Sequence, residues 1–139
     1  MRVIDADGLI LGRLASMTAR ALLKGETIVI VNAEKSVISG RKAYTFQRYK
    51  QYYDRGSREK GPYFPRMPER ILKRTIRGML PYKKQRGREA LARLRVYRGL
   101  PAEFEGVEKE SLEDASIHRL STANYSTLGE VSRKLGANF

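Results

Sequence analysis

Residues 1 to 31, MRVIDADGLILGRLASMTARALLKGETIVIV, hold two short aliphatic runs with an amphipathic segment between them. The runs at 3–6 and 28–31 are rich in β-branched residues, the pattern of strands buried on both faces of a sheet. Between them Leu11, Leu14, Thr18, Ala21 and Leu22 keep helical spacing, Arg13 and Arg20 point elsewhere, and Gly25 supplies a stop. The unit is strand, helix, strand, and a crossover of this length implies parallel strands joined in the right-handed sense. Asp5, Asp7 and Gly8 are expected to form the turn into the helix, with the acids favoured at the positive end of its dipole.

Outward from this unit, residues 41–55 predict a second helix with Phe46, Tyr49 and Tyr53 on one face. GSREKGPYFPRMP, residues 56–68, has three prolines and two glycines, too many for a regular element. Pro68 restarts a helix at its first turn. Over 69–80 Leu72, Ile76, Met79 and Leu80 make one face, Arg70, Lys73, Arg74 and Arg77 follow i, i+3, i+4, i+7 on the other, and Pro81 ends the pattern. Residues 81–88, PYKKQRGR, predict an extended or turning basic loop. A short helix over 87–94 then leads to a strand at Arg95-Val96-Tyr97. Near the C-terminus Thr127 and Glu130 match a capping box, and Leu128, Val131 and Leu135 give a short amphipathic helix closed by Gly136. The order of elements is that of an α/β domain with helices on a small, mostly parallel sheet, and 139 residues suit a single domain.

Composition narrows the function. With 41% hydrophobic and 31% charged residues the chain reads as a folded core under a charged surface. A net charge of +13 calls for a polyanionic partner, nucleic acid first. The charge is concentrated: residues 41–99 hold 19 Lys and Arg against 4 acids, a net of +15, so the remaining 80 residues sum to −2. Residues 101–114 carry five Glu and Asp114 against Lys109 alone, which is unsuited to lie along phosphate and fits solvent or a basic protein neighbour. With no cysteine and a lone His118, thiolate sites and metal catalysis are set aside. The longest aliphatic run is Ile28 to Val31 and the start, MRVIDADG, has no apolar signal core, so no membrane is expected and the cytoplasm is the expected location. Neither a dinucleotide fingerprint nor a Walker motif occurs, and no cofactor or small-molecule substrate is called for.

Within the basic stretch, the helix at 69–80 is the sharpest feature. A merely solvated basic face normally carries compensating acids, and only Glu69 is present. Arg70, Lys73, Arg74 and Arg77 are therefore the leading RNA contacts; an Arg can fork onto a phosphate or stack on a base. Lys83, Lys84, Arg86 and Arg88 follow in the loop. In 41–66 Arg41, Lys42, Arg48 and Arg66 alternate with Tyr44, Tyr49, Tyr52, Tyr53, Tyr63 and Phe64. Aromatics at helical spacing are more often core than base-stacking platforms, so the cations are the contacts expected there. One enzyme-like signal, Asp5-Ala6-Asp7-Gly8, resembles the carboxylate pair of haloacid-dehalogenase-type phosphatases, but nothing downstream completes a Mg²⁺ site. That activity and a free-standing RNA-binding regulator are the alternatives.

Taken together, these segments resemble the archaeal and eukaryotic form of the large-subunit ribosomal protein thirteen family over nearly the whole chain. The carrying residues are Asp5-Ala6-Asp7-Gly8 with Leu11-Gly12-Arg13-Leu14-Ala15-Ser16, then Val31-Asn32-Ala33-Glu34, Ser39-Gly40, Arg77-Gly78-Met79-Leu80-Pro81, Arg86-Gly87-Arg88 and Leu94-Arg95-Val96-Tyr97-Arg98-Gly99. The resemblance implies a three-layer α/β/α domain over 1–139, here expected with a four-stranded sheet, that binds large-subunit rRNA during assembly and has no catalytic activity. It carries the RNA-facing surface over to Arg77, Gly78, Lys83, Lys84, Arg86 and Arg88. From about residue 100 to 139, Arg119-Leu120-Ser121, Tyr125 and Thr127-Leu128-Gly129 resemble the archaeal and eukaryotic extension, where neighbouring large-subunit ribosomal proteins are the expected partners.

Overall fold

The computed structural model describes residues 1–55, 64–120 and 124–139; of the loop expected over 56–68, residues 56–63 lie outside the described residues and 64–66 have no regular structure. The opening unit forms as its sequence requires. Strand β1 (Arg2–Asp5) runs parallel to β2 (Ile28–Val31), pairing Arg2 with Ile28 through Asp5 with Val31, and helix α1 (Leu11–Leu23) crosses between them. Gly25, at φ +98°, turns the chain out of α1. There follow β3 (Val37–Ser39), α2 (Lys42–Asp54), α3 (Pro68–Gly78), α4 (Gln85–Ala92), β4 (Leu94–Val96), β5 (Tyr125–Thr127) and α5 (Leu128–Lys134). Strand β4 pairs in parallel along the free edge of β2.

The α/β class and the mostly parallel sheet are as expected; strand count and layering differ. The main sheet has three strands, in the order β1-β2-β4. Where a fourth would lie beside β1 there is one parallel bridge, between Ile4 and Glu110. Its two hydrogen bonds, from Asp5 N to Glu110 O and from Glu110 N to Val3 O, hold the acidic segment against that edge. A separate antiparallel pair, β3 with β5, joins Val37 to Thr127 across the fold.

Because side chains alternate along a strand, the sheet has two distinct faces. Ile4, Ile28, Ile30 and Leu94 join one buried cluster with Leu14 and Leu22 of α1, Ile71, Leu72 and Ile76 of α3, and Leu128 and Val131 of α5. Each such side chain, fully buried, contributes about 1.5–3 kcal/mol. Val3, Val29 and Val31 form a second cluster, closed by Phe104 from a 3₁₀ turn at Ala102–Phe104, with Tyr97 against it. Among the described residues no helix side chain joins this second cluster, so the third layer expected as helix is a single turn.

At the carboxyl ends of the strands the acids serve structure. Asp5 Oδ1 accepts from the Asp7 backbone N–H and from Asn32 Nδ2, both at 3.0 Å. Asn32 itself takes the left-handed conformation, φ +57°, which Asn tolerates better than most residues. Glu34 Oε2 accepts from the Gly99 N–H at 2.7 Å, tying the end of β2 to the chain after β4. The expected dipole role of Asp5 and Asp7 is not found: α1 starts after Ile10, and its first turn contains no acid. At the C-terminus Thr127 caps α5, its hydroxyl accepting from Glu130 N as the capping box predicts. No described helix is long and apolar enough to cross a membrane.

Candidate nucleic-acid interface

Helix α3 separates its two faces as its sequence pattern requires, except that Met79, expected on the buried face, lies past the helix end and is 44% exposed. Pro68 sits in its first turn, where no N–H partner is needed. Ile71, Leu72 and Ile76 are buried, and Leu80 continues that face past the helix end. Opposite them Arg70, Lys73, Arg74 and Arg77, with Pro65 and Leu91, line a hollow of about 400 Å³. Arg70 and Lys73 are exposed, Arg74 and Arg77 half-buried.

Local contacts set the directions of these cations. Lys73 Nζ donates to the Leu94 carbonyl at 3.3 Å. The Arg74 guanidinium lies over the Phe64 ring, and that of Arg77 over the Tyr82 ring, each 5.0 Å from the centroid. Stacking holds a guanidinium plane in place while leaving N–H edges open to an acceptor. Among the described residues no carboxylate comes within 4 Å of any of the four, whereas four ion pairs form elsewhere. Together they make a concave cationic surface whose charge is not neutralised by described neighbours.

The chain after α3 departs from its expected shape. Residues 81–84 form a tight turn, and α4 begins at Gln85, so Arg86 and Arg88 stand on a helix and not in an extended loop. Gly87 explains the compactness: a Cβ there would overlap the Pro81 carbonyl, so glycine is what lets α4 pack onto the turn. Lys83, Lys84, Arg86 and Arg88 are all exposed, and none of them lines the hollow.

The cations of 41–66 are dispersed. Arg41 is exposed at the start of α2, and Lys42 pairs with Glu130 at 3.5 Å. Arg66 lies over the Tyr53 ring at 4.5 Å, beside Gly136 at the end of α5. Arg48 Nε donates to the Tyr52 hydroxyl at 2.8 Å, a bond that raises the guanidinium's already high pKa. Phe46, Tyr49 and Tyr53 do pack against the core, as their spacing predicts, and burial pushes the Tyr49 phenol up. Gly78, exposed at the end of α3, and Arg74 border a second, larger hollow of about 560 Å³ between α1, α2 and α3. Arg13 of α1 borders it too. Arg13 lies outside the basic block at 41–99 and so is not among the cations expected from the sequence; its place on the polar face of α1 is the signal that could have found it.

A family model for ribosomal protein L13 matches residues 1–103. The chain belongs to the ribosomal protein L13 family. Among its relatives, the large ribosomal subunit protein uL13 of Archaeoglobus fulgidus is 63% identical over 135 residues, covering 96% of this chain and 86% of that protein. The same-named protein of Methanococcoides burtonii is 58% identical over 139 residues, covering both chains completely. That of Haloarcula marismortui is 48% identical, covering 98% of this chain and 91% of its own. The L13 family model ends at residue 103, yet the alignment with the Methanococcoides protein continues through the acidic segment and α5. The L13 family is one of ribosomal proteins, not an enzyme class. Among the described residues no three His, Cys, Asp or Glu gather as metal ligands, and Asp5 is engaged with Asp7 and Asn32.

Proposed function

We propose that this chain is a structural constituent of the large ribosomal subunit, working in the cytoplasm, and that it binds large-subunit rRNA and supports subunit assembly. The observation that carries the reading is the hollow lined by Arg70, Lys73, Arg74 and Arg77 on a helix whose other face is core. Phosphates brought there displace counterions, and RNA segments that repel one another can then pack against one rigid body. Lys83, Lys84, Arg86 and Arg88 extend this surface, Gly78 leaves room for close approach at the end of α3, and Arg41, Lys42, Arg48 and Arg66 add dispersed contacts away from the hollow. Residues 1–139 act as one unit, with the RNA surface within 41–99 and the part from about 100 to 139 facing neighbouring ribosomal proteins.

The test replaces Arg70, Lys73 and Arg77 by Gln, which keeps bulk and removes charge. Binding to large-subunit rRNA should weaken, and the slope of log affinity against log salt should fall by about 0.7–0.9 for each phosphate that is no longer neutralised. On a sucrose gradient of lysate the native chain should travel with the large subunit and the variant should be depleted from it. Normal incorporation of the variant, with an unchanged salt slope, would overturn the assignment of this surface.

A further inference from the structure

The larger hollow is unlike the phosphate-facing surface of α3. We propose that it seats an unpaired nucleotide of the bound RNA, its base stacked on Tyr44 and its flanking phosphates held by Arg13, Arg48 and Arg74. This rests on the RNA-binding reading above and adds to it a site for single-stranded RNA.

Helix α2 supplies the first argument. Phe46, Tyr49 and Tyr53 turn toward the core and Tyr52 packs against Tyr49 and Phe64, so among the described residues Tyr44 is the aromatic of this helix with no packing role. Tyr44 stands in one row with Arg48 and Tyr52, at i, i+4, i+8, and all three border the hollow. Tyr44 is 65% exposed, too much for a core residue.

The second argument is that the wall beside Tyr44 is already rigid. The Arg48 bond to the Tyr52 hydroxyl fixes that ring's tilt. Tyr49 meets Tyr52 edge-on at 5.8 Å between centroids, and Phe64 lies tilted against it at 5.5 Å. Arg48 and Arg55 lie over the Tyr52 ring at 5.8 and 6.0 Å, so it serves as a fixed wall, and a site with preorganised walls loses little freedom when a ligand enters.

Charge and size choose the ligand. Arg13, Arg48 and Arg74 come from three different helices, and among the described residues no Asp or Glu lines the hollow. A basic protein neighbour would be repelled there, and no cation would be held. The volume, about 560 Å³, lies within the roughly 300–1,000 Å³ of small-ligand sites, enough for a base with its sugar. Aromatic rings beside a cationic track are what single-stranded nucleic acid requires, since every base offers a π-face. Fully paired RNA presents no free base face and would use only the arginines.

The full-length chain is titrated with a short oligo(A) strand, with a blunt RNA duplex of equal phosphate number, and with AMP. The chain has eight Tyr and no Trp, so stacking reads directly as quenching of tyrosine fluorescence. Oligo(A) should quench and the duplex should not. Tyr44→Ala should weaken oligo(A) binding about tenfold, the low end for removal of one stacked base, and leave the duplex affinity and salt slope unchanged; Tyr44→Phe should restore oligo(A) binding. If Tyr44→Ala binds oligo(A) like the native chain, or weakens both RNAs equally, the base site is wrong. If AMP binds as tightly as oligo(A), the hollow is a free-nucleotide site and the proposal falls. The Gln variant at Arg70, Lys73 and Arg77 separates the two readings: it should weaken both RNAs whether or not Tyr44 matters, and only its failure to do so counts against the α3 surface.

Discussion

One face of the β1-β2-β4 sheet is covered by helices whose outer surface is cationic; the other is covered by a 3₁₀ turn within an acidic segment. On the first, Ile4, Ile28 and Ile30 lie under α1 and α3, and the opposite side of α3 exposes Arg70 and Lys73. On the second, Val3, Val29 and Val31 lie under Phe104, and Glu103, Glu105 and Glu108 are exposed around it. A net charge of +13 therefore describes neither side. A polyanion is drawn to one face and turned away from the other, which orients the molecule before any close contact forms. The thinner cover is the one that does not need to resist RNA.

Charge reversal should separate the faces most widely. Changing Arg70, Lys73 and Arg77 to Glu should lower affinity for large-subunit rRNA roughly 100-fold or more. Changing Glu103, Glu105 and Glu108 to Lys should alter it by less than about tenfold, and upward. Equal reductions from the two triples in a filter-binding titration would end the comparison. The cores differ less. Ile76→Ala, at a site with no exposure, should cost about 4 kcal/mol, and Phe104→Ala, at 6% exposure within a single turn, about 3 kcal/mol. Urea unfolding measures both; a cost under about 1 kcal/mol for Phe104→Ala would mean that the turn is not what seals its face.

Glycine gives a smaller contrast within the cationic side. Gly87→Ala should destabilise by about 2 kcal/mol, because the new Cβ meets the Pro81 carbonyl and must push α4 from the turn that carries Lys83 and Lys84. Gly78 has open space around it and ends a helix, so Gly78→Ala should be neutral or stabilise by up to about 1 kcal/mol. Thermal melts of the two variants should move in different directions, and similar shifts would remove the special status of Gly87.

These contrasts also mark what the sequence makes legible. The β1-α1-β2 unit, the two faces of α3 and the Thr127 cap are local patterns, set by periodicity or by residues three apart, and they form where read. Strands β3 and β5 have three residues each, too few for periodicity, and exist because Val37 meets Thr127 across the fold. The Phe104 cover and the Glu110 bridge are likewise long-range, and an isolated Phe in an acidic stretch gives no hint of its partner. Of the candidate site, the α3 cations come together as their spacing demands. Arg13 joins Arg48 and Arg74 only in three dimensions, and along the sequence it stands well apart from the basic block.

The smallest effect concerns what pins the acidic segment to the sheet. Arg2 reaches Glu110 with two bonds, Nε to Oε2 at 2.8 Å and Nη2 to Oε1 at 3.3 Å, and Glu26 with a third at 3.1 Å. The hydrogen bond from Arg2 holds the Glu110 carboxyl below its ordinary 4.5. A carboxylate lowered on folding adds stability above its unfolded pKa and loses it as pH falls through the folded value. Both groups are more than a third open to water or close to it, so solvent screening keeps the gain below about 1 kcal/mol. Glu110→Gln should therefore be slightly less stable than the native chain near neutral pH, and the two should converge as the pH drops below the carboxylate range. High salt should narrow the gap as well. A difference that stays constant from neutral to acid pH would assign Glu110's contribution to its backbone bridge with Ile4 and leave the charge without a role at that edge.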